Sequence, residues 1–270
     1  VITGMGAWSP LGNTMEKAFS ALRSLRNRVE LQDGVLGAYR NFNTRLGAVV
    51  HEDLPSYPRK KIRTMGRIGV LAAAASEDAL RDAGLLDDPV LTSGDTGIAY
   101  GSSGGCSAAF GDVAGFESNR DVVYLKGSTY VTMMPHTVPV NLSIFFGITG
   151  QIVPTSVACA SGSMAIGYGR DMMLLGRERV MLCGGAEEFS PFSVGVFDAL
   201  FQTSRAEDPS LAPRPFDRSR DGIVVGEGAG TVILEEYESA RARGAKIYAE
   251  VAGFATNSDA THITAPSADG

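Results

Sequence analysis

The residue best placed to do covalent chemistry is Cys159, in the run Pro154-Thr-Ser-Val-Ala-Cys-Ala-Ser-Gly-Ser163. Before it, Gln151 to Val157 reads as a buried strand. After it, Ala160 to Gly176 has small residues, then Met164, Ile166, Met172, Met173, Leu174 and Leu175, and no proline. That pattern predicts a helix, apolar on most sides apart from Arg170 and Asp171, and therefore buried. A cysteine at a strand-to-helix junction feels the positive end of the helix and free backbone N–H groups, and both favour thiolate. A thiolate held there is a nucleophile, and the adjacent amides can hold an oxyanion. A cysteine among apolar neighbours is also commonly an inert small hydrophobe, and Cys159 taken alone leans to that reading. Cys183, at the end of an apolar strand, and Cys106, in a glycine-rich run, lack the junction and are assigned to packing.

Composition limits what such a site can belong to. The chain has 270 residues, 44% hydrophobic, with 33 glycines and a formal net charge of −6. That describes a soluble, ordered protein large enough for one big core or two fused halves. No apolar run reaches membrane-spanning length and no signal-peptide pattern opens the chain. Three cysteines without paired spacing argue against a disulfide framework or zinc site, so a reducing, cytoplasmic compartment is expected. The acidic balance disfavours nucleic acid as partner. His51, His136 and His262 make no metal-ligand spacing, and no metal or cofactor is expected.

The elements around the junction follow from periodicity. The chain opens on Val1-Ile-Thr-Gly-Met-Gly6, a strand already under way without an initiator methionine, so its start is expected to be trimmed. Asn13-Thr14 can cap a helix to about Leu25, and residues 29 to 58 are irregular. Lys61 to Asp82 carries an apolar stripe from Ile62 to Ala79, with Gly84 after it, which predicts one long helix. Thr96 to Gly101 is a strand, Pro139 to Phe146 a helix, and Arg179 to Cys183 a strand. Ile223 to Leu234 reads as a hairpin or a pair of buried strands, Tyr237 to Arg243 as a helix ended by Gly244, and Tyr248 to Thr256 as a strand. Alternating strands and helices give an α/β class with a mostly buried sheet. Gly226-Glu-Gly-Ala-Gly230 lacks the spacing of a phosphate loop and precedes a strand, so nucleotide binding is not expected.

Several of these runs, in order and from end to end of the chain, resemble the beta-ketoacyl-acyl-carrier-protein synthases of fatty-acid synthesis. They are Thr3-Gly-Met-Gly6 with Ser9-Pro-Leu-Gly-Asn13, Gly101-Ser-Ser-Gly-Gly105, Ala158-Cys-Ala-Ser-Gly162 and Gly184-Gly-Ala-Glu-Glu188. Arg214-Pro-Phe-Asp-Arg-Ser-Arg-Asp-Gly222 with Gly226-Glu-Gly-Ala-Gly230, and Arg243-Gly-Ala-Lys-Ile-Tyr-Ala-Glu250 with Ser258-Asp-Ala260, complete the set. The resemblance implies a thiolase-like fold in α-β-α-β-α layers, two similar halves each giving a five-stranded mixed sheet. It places residues 1–245 in the half carrying the nucleophile and 246–270 at the start of the other half. It also implies that Cys159 is the acyl-accepting nucleophile, which reverses the reading of Cys159 taken alone.

The family's other catalytic residues are a His in a His-Gly-Thr-Gly-Thr run, a Lys, and a His in an Asn-Ser-Phe-Gly-Phe-Gly-Gly-His-Asn-like run. None of these runs is present, and the family continues for roughly half as many residues again. The implied reaction transfers an acyl group to Cys159 and then joins it to the enolate of decarboxylated malonyl-carrier protein, extending the chain by two carbons. The 270 residues alone are expected not to condense.

The resemblance further implies that Gly104 and Phe197 line the acyl tunnel, although Phe197 is equally compatible with plain core. Lys60, Lys61, Arg63 and Arg67 belong to the one concentrated basic stretch. It reads either as a solvated face or as a docking site for acidic acyl carrier protein. Glu187 and the Asp217-to-Asp221 charges are assigned to structure. A homodimer is expected. A polyketide-type condensing subunit, a coenzyme A-dependent thiolase relative and a non-catalytic acyl-binding or dimer-partner protein are the competing readings.

Overall fold

The computed structural model describes residues 1–265, 267 and 268, so the last part of the 246–270 segment lies partly outside the described residues. The chain runs β1 (Ile2–Trp8), α1 (Met15–Arg23), β2 (Glu30–Leu31), α2 (Asp33–Leu36), β3 (Leu46–Gly47), α3 (Arg59–Ile62) and α4 (Arg67–Ala83). It continues through β4 (Thr96–Gly101), α5 (Ala108–Asn119), α6 (Thr129–Met133), α7 (Thr137–Phe146), β5 (Ile152–Pro154) and α8 (Ser161–Leu174). It ends with β6 (Val180–Glu187), α9 (Pro191–Ala199), β7 (Gly228–Glu235) and α10 (Tyr237–Ala242).

Five strands form one mixed sheet in the order β1-β7-β6-β4-β5. β4 lies parallel to β5 and β6, while β7 is antiparallel to β6 and β1. Side chains alternate across it, as the period of two requires. Ile98 and Tyr100 of β4, Leu182 of β6 and Ile233 of β7 join the larger core under α4 and α7. Ala99, Met181, Cys183 and Leu234 point the other way, into a smaller core under α8. Each fully buried Leu or Ile contributes about 2 kcal/mol. This is the expected α/β class, with three of the five expected layers: helices, sheet, helices. Among the described residues no second sheet covers α8, so Met172 and Met173 are half-buried and Leu174 is exposed. The sequence pattern had suggested full burial.

The helix α4 lies unusually close to the sheet. A Cβ on Gly6 would sit 2.1 Å from the carbonyl oxygen of Ala75 and one on Gly4 2.2 Å from that of Ala79. Only glycines opposite an alanine-rich helix face allow that approach. Gly84 ends α4 in the left-handed region at φ +69°, as its place after the apolar stripe predicts.

Several expectations are corrected. The long helix from Lys61 is two helices, α3 and α4, interrupted at residues 63–66. Gly66 is extended, and the side chain of Cys106 fills the space where its Cβ would be. The Glu188 carboxylate takes the amide of Ile68 in the first turn of α4. The segment Ile223–Leu234 is one strand, β7, because residues 223–227 peel away. Ile223 bridges to Thr203 and Gly226 to Ala48, and the chain joins the sheet at Gly228, opposite Glu187. The strand read over Tyr248–Thr256 is a single bridge, Ala249 to Ile2, with no further pairing among the described residues. The strand before Cys159 is only three residues of half-exposed edge.

Buried carboxylates tie these elements together. Glu227, whose side chain is 2% exposed, accepts the Arg67 guanidinium at 2.7 and 2.9 Å and the Val50 amide at 2.8 Å. Burial pushes its pKa up, but these donors overcome it and hold the carboxyl below the usual range. Glu235 is likewise buried against Arg243 and Thr3.

Glu178 is different. It is 4% exposed, takes the Gln151 amide at 2.7 Å with one oxygen, and leaves the other without a partner. Burial raises its pKa, the Gln151 amide opposes this, and Asp95 adds to it. A raised pKa means that the folded chain holds this proton more tightly than the unfolded one. The charged form therefore costs stability above the folded pKa, and the cost disappears as pH falls below the unfolded value near 4.5. Glu178→Gln is expected to raise Tm by about 1–3 °C at mildly alkaline pH and to change it little at the acidic end. Paired thermal scans at the two pH values check this, and a lower Tm for the variant at alkaline pH would contradict it.

Candidate active site

Cys159 sits on the turn that leads from the edge strand β5 into α8. Thr155 anchors the near side: its amide donates to Tyr100 O at 3.1 Å and its hydroxyl to Ser161 O at 3.0 Å. Ser161 closes the turn, its Oγ accepting the Val157 amide at 2.9 Å and donating to Ala158 O at 2.6 Å. Ala158 is forced to φ +50°, the left-handed region, and one tight turn over Ala158–Ala160 follows before α8 begins. The result aims Cys159 outward: it is exposed, whereas Cys106 and Cys183 are buried. Among the described residues the Cys159 amide has no hydrogen-bond acceptor, so an N–H beside the thiol is free for an oxygen.

The floor around the thiol is glycine. A Cβ on Gly101 would lie 2.4 Å from Ser161 Cβ, and one on Gly185 3.4 Å from Gly162 Cα. Above this floor is an open cleft of about 830 Å³ lined by Trp8, Ser103, Cys159, Glu187, Phe197 and Val225, among others. A larger groove of about 1030 Å³ follows α1 past Lys17, Arg28 and His51, and no cysteine is among its lining residues.

Burial pushes the Cys183 thiol far up, and burial with the Glu188 charge pushes Cys106 up, so neither is poised to react.

Phe197 shares the cleft with Cys159. Gly104 lies beside it, next to the lining residue Ser103; a Cβ there would meet only Glu187 Oε1, at 3.8 Å. Lys60 and Lys61 are exposed on α3 and Arg63 just after it, with Lys61 Nζ 4.7 Å above the Phe145 ring. Arg67 does not stand with them, because its guanidinium is committed to buried Glu227. Neither His51, paired with Glu30 at 2.7 Å, nor His136 or His262 lines the cleft. Thr155 and Ser161, which shape the turn, were not singled out from sequence. Ser161, two residues after the cysteine, is a hydroxyl able to bond its own backbone, and that was the available signal.

Residues 1–240 match the family model described as "Beta-ketoacyl synthase, N-terminal domain". The chain belongs to the beta-ketoacyl synthase family. Among curated relatives, the 3-oxoacyl-[acyl-carrier-protein] synthase 2 of Vibrio harveyi is 38% identical over the whole chain, which spans 65% of that protein. The crystal structure of a beta-ketoacyl synthase from Burkholderia phymatum STM815 superposes with a TM-score of 0.96 at 47% identity, covering 100% of this chain and 66% of that one. The AntDE:AntF complex, a type II polyketide acyl-carrier protein with its ketosynthase, gives a TM-score of 0.76 at 28% identity, covering 94% and 62%. This beta-ketoacyl synthase chain thus has the thiolase-like fold of its relatives over the part it spans. Among the described residues no helix is long and apolar enough to cross a membrane.

Iodoacetamide at neutral pH is expected to alkylate Cys159 in the folded protein and to spare Cys106 and Cys183 until denaturant is added. Peptide mapping by mass spectrometry checks this, and early labelling of Cys183 would contradict the burial.

Proposed function

We propose that Cys159 is the acyl-accepting nucleophile of a decarboxylative Claisen condensation that extends an acyl chain by two carbons. The exposed thiol on its left-handed turn, beside a free amide and facing the cleft, carries this reading. In the first stage the Cys159 sulfur attacks the carbonyl carbon of an acyl thioester. The Cys159 amide steadies the developing oxyanion, the old C–S bond breaks, and the departing thiolate takes a proton. In the second stage malonyl thioester loses CO₂, its enolate carbon attacks the acyl-Cys159 carbonyl, and the thiol is released. That stage needs donors at the enolate oxygen. None of the three histidines lines the cleft, so we assign those donors to the family's C-terminal motifs, which these 270 residues lack.

Acyl carrier protein is the proposed thioester donor, docking on exposed Lys60, Lys61 and Arg63. The AntDE:AntF complex, of an acyl-carrier protein with its ketosynthase, supports this choice. That same relative keeps a polyketide-type condensation as the second reading, told apart by whether the enzyme's product is extended again without reduction. A homodimer is the proposed assembly, supported by the place of β5 at the edge of the sheet and by exposed Ile144 on α7, the helix that packs on β5. We place the division between halves near residue 245, after α10, and the reaction in the reducing cytoplasm, where all three cysteines stay free.

Incubation with acyl-carrier protein is expected to add one acyl mass to Cys159, and Cys159→Ala to abolish the adduct. The 270 residues alone should release no CO₂ from malonyl-carrier protein; turnover there would overturn the assignment of the second stage. Lys60→Glu with Arg63→Glu should slow transfer from the carrier protein by about tenfold at low salt. Transfer from a small pantetheine thioester should be affected little. Equal slowing with both donors would remove the docking role.

A further inference from the structure

Glu187 and Glu188 are consecutive residues at the end of β6, and each grips a different serine on the segment that follows β4. Glu187 Oε2 accepts the Ser103 amide at 2.9 Å and also the Ser103 hydroxyl. Glu188 Oε1 accepts the Ser107 amide at 2.6 Å and also the Ser107 hydroxyl. The two grips have the same design: one carboxylate oxygen takes both donors of one serine. Parallel pairing explains how they meet. Gly185 of β6 lies opposite Gly101 of β4, so the residues that follow both strands run on side by side.

Three residues lie between the gripped serines, and each is confined differently. Gly105, at φ +62°, has no room on its Cβ side: a Cβ would come 2.2 Å from Met133 O. Cys106 is buried and its amide donates to Thr132 O at 2.9 Å. Gly104 alone faces open space, with Glu187 Oε1 the nearest neighbour to an added Cβ. Ser103 and Glu187 both line the cleft that holds Cys159 and Phe197. Ser103, at the near end of the segment, thus belongs to the wall of that cleft, and charge-assisted bonds hold the segment at both ends.

We propose that the Glu187–Ser103 and Glu188–Ser107 bonds form a clamp that sets how long an acyl chain Cys159 accepts. This rests on the reading of Cys159 as acyl acceptor. A wall held at both ends rejects chains too long for the space, because it cannot give; a wall released at one end can move aside. Glu187 and Glu188 act here through the loop, as positioning residues, and take no part in bond making.

The test uses the protein at its natural length and reads the rates of Cys159 acylation by butanoyl- and dodecanoyl-pantetheine. Glu187→Ala is expected to shift the ratio of the two rates by about fivefold or more toward the longer chain, the effect of losing the Ser103 bonds. Glu187→Gln keeps an acceptor oxygen and should stay close to the unsubstituted ratio. Glu188 also caps α4, so its end of the clamp is tested by Ser107→Ala, which removes one bond and leaves the cap; a smaller shift in the same direction is expected. A purely structural role would slow both thioesters alike and leave the ratio unmoved. An unchanged ratio in both Glu187→Ala and Ser107→Ala overturns the clamp while leaving Cys159 as acceptor. Failure of the unsubstituted protein to acylate with either thioester overturns the reading of Cys159, and the clamp with it.

Discussion

The arrangement at Cys159 depends on one close approach: the end of β4 and the turn before α8 meet at Gly101. With a hydrogen atom as its side chain, Gly101 lets Ser161 and Thr155 come to contact distance; a methyl group would force them apart. The Thr155 and Ser161 hydrogen bonds then close the turn, and the turn aims the thiol. None of these parts makes the site alone. The bonds need the approach, and the approach is tolerable only because the bonds satisfy the polar groups it brings together.

A second theme is the use of buried acids to join distant segments. Glu227 links Arg67 and Val50 to the start of β7; Glu188 links the starts of α4 and α5; Glu235 links β1, β7 and α10 through Thr3 and Arg243. Each carboxylate has several donors, which is what makes a buried charge tolerable. Glu178, with one oxygen unpartnered, is the exception, and it lies at the opposite ends of β4 and β6 from Cys159.

How much of this was legible follows from where the determining contacts come from. The strand Thr96–Gly101, the Thr14 cap, the Gly84 stop and the last helix are written in neighbouring residues, and all were readable. The break between α3 and α4 was not, because the apolar stripe runs through Gly66 and the interruption comes from Cys106, far along the chain. Tyr248–Thr256 has strand composition, but a strand also needs a neighbour, and composition does not say whether one is there. The helix Pro191–Ala199 was missed although Ser190, Pro191 and Ser193 form a readable capping box. At the site, the junction alone left Cys159 undistinguished from an inert cysteine; the resemblance singled out both it and Phe197, and both line the cleft. The grips of Glu187 and Glu188 join residues 84 and 81 positions apart, and no local pattern announces them.

The left-handed backbone of Ala158 has a meaning for how this turn could change over evolutionary time. Alanine at φ +50° is less comfortable than glycine by about 1 kcal/mol, so a drift to glycine at 158 would make the fold more stable. It would also leave the peptide before the cysteine freer to wander, so the thiol would be aimed less firmly. Thermal endurance and the aim of Cys159 are pulled in opposite directions at this single methyl group.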